Sequence, residues 1–175
     1  GRILAEKDRV WHDGIGYCGK NLEFFREKRT GDWRILDGGI ASPQMVTKEL
    51  FRIRIRHGLK PENASYSFAV LPCATPEQTF IWNWESRILA NTETLQAVRL
   101  KDGTIGAVFH APGKLGSFET KNPGVFLIRG TNVSAADPTQ TLSELTFGMK
   151  KHLRTIPLPR GDMAGTSVSV SFPNE

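Results

Sequence analysis

Little in this 175-residue sequence favours long helices, membrane spans or a covalent framework. Its longest apolar runs fall far short of the roughly 20 residues that cross a bilayer as a helix. Cysteine occurs only at Cys18 and Cys73, without CxxC spacing, so neither a zinc site nor a disulfide framework is expected. The two can pair with each other, but isolated cysteines are more often simply buried thiols. No basic-then-apolar segment opens the chain, and Gly1 stands where an initiator Met is expected. The expectation is a processed chain or one cut from something longer. No GxxxxGK[ST], HExxH or GxSxG occurs, so phosphate-loop, zincin and nucleophile-elbow chemistries have no carrier. Internal repeats and low-complexity segments are absent as well.

What is present is a moderately basic, globular composition. Lys and Arg number 23 against 18 Asp and Glu, giving +5 and a pI near 9.4. That balance favours an anionic partner without choosing among nucleic acid, acidic polysaccharide and acidic protein. Hydrophobic residues at 39% leave enough apolar material for one domain or two small ones. Seventeen Gly and ten Pro interrupt the chain every several residues, which suits short strands and sharp turns. Period-two patterning predicts strands over Arg9–Tyr17, Asn21–Arg26, Phe51–Arg56, Ser65–Leu71, Thr94–Leu100, Ile105–His110, Val125–Arg129, Ser143–Lys150 and Ser167–Phe172. Lys101-Asp102-Gly103-Thr104 reads as a tight hairpin turn. The best short-helix candidate is Ser42–Leu50, with Ser42 as N-cap and Pro43 just inside. A boundary is expected near Thr75 to Asn91, dividing the chain into residues 1–86 and 87–175. The fold class is all-β: antiparallel and sandwich-like.

Candidate chemistry is dispersed. His12-Asp13 suggests acid–base work or metal binding, but adjacent strand residues point to opposite faces, and Asp13-Gly14 also makes a good turn. His57 and Tyr66 sit on consecutive strands and suit proton abstraction. Against that, His57 falls on the apolar face of its strand, where a hydrogen-bonded core histidine is the plain expectation, and Tyr66 packs naturally in a sheet. The alternation in Phe51-Arg52-Ile53-Arg54-Ile55-Arg56 places three arginines about 6.7 Å apart on one face. Such a row suits carboxylates or sulfates; the alternative is a solvated face balanced by carboxylates on a neighbouring strand. Trp82 and Trp84, if extended, share a face and offer a platform for sugar rings, or else they seal a core or an interface. Asn63-Ala64-Ser65 and Asn132-Val133-Ser134 match the N-glycosylation triplet, a pattern common by chance. Arg52, Arg54, Arg56, Trp82 and Trp84 are therefore the substrate-binding candidates. No catalytic constellation, metal site or cofactor is expected.

Five segments in order carry a resemblance. His57-Gly58-x-x-Pro61-x-x-Ala64-x-Tyr66-x-Phe68-x-x-Leu71-Pro72 resembles polysaccharide lyase family 8, the chondroitin, hyaluronate and xanthan lyases. Val10-Trp11-His12-Asp13-Gly14-Ile15-Gly16-Tyr17 and the Arg29-Thr30-Gly31-Asp32-Trp33 turn agree with it. So do Asn91-Thr92-x-x-x-Gln96-Ala97-Val98 and Asp137-Pro138-Thr139-Gln140, the last with Ala136 where a serine is usual. The resemblance implies the end of a large central β-sandwich followed by a small C-terminal β domain. It implies β-elimination at a uronic acid by Tyr, His, Asn and Arg groups that sit in a preceding α/α toroid, with a supporting glutamate early in the sandwich. None of those motifs is in this chain. The implied role is thus a non-catalytic β portion that supports the toroid and its cleft. Its implied partners are that toroid and an acidic polysaccharide, with neither nucleic acid nor membrane, and its location is extracellular or periplasmic. A stand-alone module binding acidic polysaccharide is the alternative, and a self-contained lyase is disfavoured. The triple arginine and the Trp82/Trp84 segment depart from the family pattern.

Overall fold

A computed structural model describes residues 2–34, 39, 43–83 and 87–173. The chain divides into two compact units, residues 1–84 and 85–175. The first opens as a meander of β1 (Ile3–Glu6), β2 (Arg9–His12) and β3 (Ile15–Gly19). The expected strand Arg9–Tyr17 is therefore two strands. Asp13 and Gly14 both take positive φ, 45° and 85°, as a two-residue connection between twisted strands requires. β4 (Leu22–Gly31) and β5 (Val46–Ile55) form a long two-stranded ribbon, and β6 (Phe68–Pro72) returns beside β3. The sheet order is β1-β2-β3-β6, antiparallel throughout.

The short helix lies elsewhere than expected. Val46 to Leu50 belong to β5, with Thr47 and Thr30 hydroxyls 2.8 Å apart across the ribbon; Ser42 lies outside the described residues. Pairing with β4 and the β-branched Val46-Thr47 outweigh the Ser-Pro start signal. The helix is α1 (Pro76–Ile81), opened by a reciprocal box in which the Gln78 amide donates to Thr75 Oγ1 and the Thr75 amide to Gln78 Oε1. A Cβ on Gly16 would collide with the Thr79 side chain, so glycine in β3 is what lets α1 sit close. The Cys18 thiol donates to the Thr79 carbonyl at 3.6 Å, and the Trp11 indole to the Ala74 carbonyl at 2.6 Å.

The second unit is a sandwich. One sheet orders β16-β13-β12-β9-β8-β7, from β7 (Ile88–Asn91), β8 (Leu95–Arg99), β9 (Ile105–Phe109), β12 (Gly124–Arg129), β13 (Asn132–Ala136) and β16 (Val168–Ser171). The other orders β10-β11-β14-β15, from β10 (Gly113–Leu115), β11 (Phe118–Thr120), β14 (Glu144–Met149) and β15 (His152–Pro157). Both sheets send phenylalanines into one core. Phe118 and Phe126 lie 4.9 Å apart, Phe126 and Phe147 5.4 Å, and Phe109 and Phe126 5.7 Å, with Leu145 and Val133 fully buried beside them. The Lys101–Thr104 turn forms as expected, with Gly103 at φ 84° and the Leu100 amide donating to the Thr104 carbonyl. The buried Asp137 organises the turn after β13. Its carboxylate accepts from the amides of Thr139, Thr141 and Leu142 and from the Thr139 hydroxyl. Burial pushes this carboxyl upward, but those four donors outweigh it and hold the group below its ordinary range.

Candidate functional site

The arginine row lies on the ribbon. Cross-strand pairing puts Glu23 opposite Arg54 and Phe25 opposite Arg52, so Glu23, Phe25 and Glu27 share a face with Arg52 and Arg54. Arg54 Nε donates to Glu23 Oε2 at 2.7 Å, and Arg56 Nη1 to Glu23 Oε1 at 3.1 Å. Arg52 Nη1 donates to Glu27 Oε1 at 2.7 Å, and Arg29 takes the other oxygen at 3.1 Å. The Arg52 and Arg54 guanidinium carbons lie 5.4 and 5.3 Å from the Phe25 ring centroid. The hydrogen bond from Arg54 holds Glu23 below the usual carboxylate range, and those from Arg29 and then Arg52 do the same for Glu27. The balanced face is thus the arrangement found. Each of the three arginines already has a carboxylate.

Toward its Leu22–Ile55 end, the opposite face of the ribbon is apolar and looks onto the sheet. Phe51 stacks on His12 at 4.2 Å and tilts against Tyr17 at 5.8 Å. Farther along, Ile53, Ile55 and Leu22 from the ribbon and Tyr17, Phe68 and Val70 from the sheet line an open cleft of about 390 Å³. His57 and Tyr66 stand at its end, edge to face at 6.1 Å, with Tyr66 stacked toward Phe68 at 6.4 Å.

These placements correct three expectations. His57 is exposed and not a core histidine, because β5 ends at Ile55 and the face His57 shares with Ile53 and Ile55 opens there onto the cleft. Tyr66 is 62% exposed, and Phe68 and Val70 are exposed by 57% and 46%. His12 and Asp13 do meet, at 3.5 Å, because Asp13 has left the strand for the turn. Cys18 is buried and its thiol pushed up by desolvation, with Arg9 opposing, whereas Cys73 is exposed; both are free thiols. Trp82 is half-buried at the end of α1, its carbonyl accepting from Arg9 at 3.2 Å. Trp84 lies outside the described residues, so a paired indole platform is not described. Among the described residues no cluster of three or more His, Cys, Asp or Glu is placed to hold a metal ion.

Two layers of antiparallel sheet in each of two successive units define a tandem β-sandwich chain. Comparison with known proteins gives it a family. Residues 2–80 match the super-sandwich domain of polysaccharide lyase family 8, and residues 87–146 match that family's C-terminal β-sandwich domain. The chain belongs to polysaccharide lyase family 8. It is 32% identical over 180 residues to a chondroitinase-AC of Pedobacter heparinus, an alignment covering 91% of this chain and 25% of that protein. Among solved structures, a Paenibacillus xanthan lyase superposes with a TM-score of 0.78 at 18% identity, over 99% of this chain and 21% of the other. A Streptomyces coelicolor A3 chondroitin AC lyase in complex with chondroitin sulphate gives 0.70 at 18% identity, over 98% and 27%. The chain thus spans about a quarter of the length of its relative and of these structures.

Proposed function

We propose that this chain is the non-catalytic β portion of a secreted lyase that cleaves uronic-acid-containing polysaccharide of the chondroitin or hyaluronan type by β-elimination. The observation that carries this reading is the ordered match to two successive non-toroid domains of one lyase family. The dispersal of the histidines supports it. His12 stacks on Phe51, His57 stands exposed at the cleft, and His110 is hydrogen-bonded to Gln96 at 2.6 Å. Abstracting the C5 proton while stabilising the carboxylate's developing charge needs several groups converging on one sugar, and these histidines belong to separate surroundings. In this reading the chain braces an upstream helical toroid and adds positive potential toward an acidic glycan. Its candidate glycan contacts are Trp82 and Trp84, together with Arg52, Arg54 and Arg56 where an acidic glycan displaces the Glu23 and Glu27 carboxylates they hold.

The test is ultraviolet absorbance of the unsaturated uronate product. The complete parent protein is expected to release it from chondroitin. Residues 1–175 alone are expected to release none, and His12→Ala or His110→Ala in the parent should leave the rate within about twofold. Product formed by residues 1–175 alone would overturn the reading.

A further inference from the structure

A pocket of about 290 Å³ opens in the second unit beside the start of β14 and the end of β15, lined wholly from residues 137–166. Two loops wall it, and local bonding holds both in place. One is the turn after β13, where four donors fix the Asp137 carboxylate. The other runs from Leu158 to Thr166 and is tied to the first by the Leu158 amide, which donates to the Ser143 carbonyl at 2.9 Å. Gly161 and Gly165 bend this loop back at φ 62° and 81°. The Gln140 side chain spans the gap between the walls: a Cβ on Gly165 would stand 3.1 Å from its Nε2.

The lining is chemically divided. Leu158 and Pro159 give it an apolar side, and Gln140, Ser143 and Arg160 give it polar groups. None of these three polar side chains has a hydrogen-bond or ion-pair partner among the described residues. Arg160 thus differs from Arg52, Arg54 and Arg56, each of which holds a carboxylate. Asp137 also belongs to the lining, but it is buried and both its oxygens are taken by donors. The charge this pocket shows to solvent is therefore that of Arg160. We propose that the pocket binds one acidic sugar unit of a polysaccharide. Arg160 takes the carboxylate or sulphate, Gln140 and Ser143 take hydroxyls, and the C–H face of the ring lies on Leu158 and Pro159. The choice of ligand rests on the proposed action of the parent on uronic-acid polysaccharide, to which it adds a seat on the C-terminal sandwich. The apolar side favours a sugar over a bare inorganic anion, which has no apolar face to lay there. Ligand pockets run from about 300 Å³ upward, so this volume favours one ring over a run of them.

The experiment follows deuterium uptake by the complete parent protein, with chondroitin sulphate disaccharide as the probe. At about 10 mM, ten times a single-sugar dissociation constant of about 1 mM, the disaccharide is expected to slow the amides of residues 140–143 and 161–166 about tenfold. Arg160→Ala should cut that slowing below about twofold, and Arg160→Lys, which keeps the charge without the fork, should fall between. Uptake without ligand reports whether each variant is folded. Where Arg160→Ala is not, Ser143→Ala, which removes one hydroxyl, is expected to lower the slowing to about threefold. No slowing in these two segments, or slowing that Arg160→Ala and Ser143→Ala leave intact, overturns the proposal. So does equal slowing by the same concentration of inorganic sulphate at matched ionic strength, which makes this a plain anion site. Equal slowing by N-acetylgalactosamine makes it a neutral-sugar site and also overturns it. A parent that releases no unsaturated uronate but shows the protection refutes the proposed reaction and leaves the pocket standing, whereas cleavage without protection strikes the pocket alone.

Discussion

The two units solve the same problem with unequal means. The second closes a phenylalanine core around Phe109, Phe118, Phe126, Phe147 and Phe172, each 4% exposed or less. The first, of similar length, buries Val10, Cys18, Ala74 and Thr79, while Phe24, Leu50, Tyr66, Phe68 and Val70 remain outside. Exposed apolar residues scattered singly are ordinary, whereas here they run along one edge beside an apolar cleft. The second unit carries the material for its own stability. The first leaves an apolar strip in solvent.

The largest expected effect separates them directly. Phe126→Ala removes a ring that touches Phe109, Phe118 and Phe147, and is expected to destabilise the second unit by about 3–5 kcal/mol. Phe68→Ala in the 175-residue chain is expected to cost under about 0.5 kcal/mol, as for exposed sites away from a packed core. Urea unfolding followed by far-UV circular dichroism reads the first. Tryptophan fluorescence reads the second, since Trp11, Trp33, Trp82 and Trp84 all fall within residues 1–84. In the complete parent, Phe68→Ala should rise to about 2–4 kcal/mol if β6 is covered there. Equal small costs in both settings would break the contrast.

Next in size is the Asp137 turn, which belongs to the self-sufficient unit. Asn in its place presents an NH₂ to amides that need an acceptor, so Asp137→Asn is expected to cost about 2–3 kcal/mol. The pH dependence has a definite sign. The folded group titrates below its ordinary value of 3.8, so its contribution is complete above that value and is lost as pH falls through the folded pKa. The circular dichroism midpoint should therefore hold from pH 7 to about 4 and drop below it. The Asn variant should show a shallower drop, and an identical one would remove Asp137 from the account.

Much of this organisation was legible because turns and alternation agreed with each other. The Asp102-Gly103 hairpin and the strands around it needed no tertiary information. The Arg9–Tyr17 segment carried both a strand pattern and an Asp-Gly turn, and the turn prevailed because each half found its own partner. For the helix, Ser42-Pro43 competed with Thr75-Pro76-x-Gln78. Only the second has both halves of a capping box, and only the first has a strand waiting to pair. The family resemblance in His57–Pro72 was legible as sequence, but the exposure of that strand was not. Alternating apolar residues show that a face wants cover, and nothing local shows which part of a chain supplies it. The same limit applied to the arginines. Glu23 and Glu27 share a strand face by spacing, yet pairing Glu23 with Arg54 depends on register across 30 residues.

The smallest effects concern that arginine face. Glu23→Gln and Glu27→Gln lie on an exposed ribbon surface, so the urea midpoint of the first unit should shift by less than its experimental error. Binding is where they should register. With both carboxylates neutralised, Arg52, Arg54 and Arg56 lose their internal counter-charges, and retention on immobilised chondroitin sulphate should increase, the gain vanishing as salt is raised. Arg52→Ala/Arg54→Ala/Arg56→Ala on the native background should lower retention little, because each guanidinium there already holds a carboxylate. Added to the double Gln variant, the same three substitutions should abolish the gain. Strong loss of retention from the arginine substitutions alone would mean that a glycan displaces Glu23 and Glu27, making this ribbon an open anion site in the native chain.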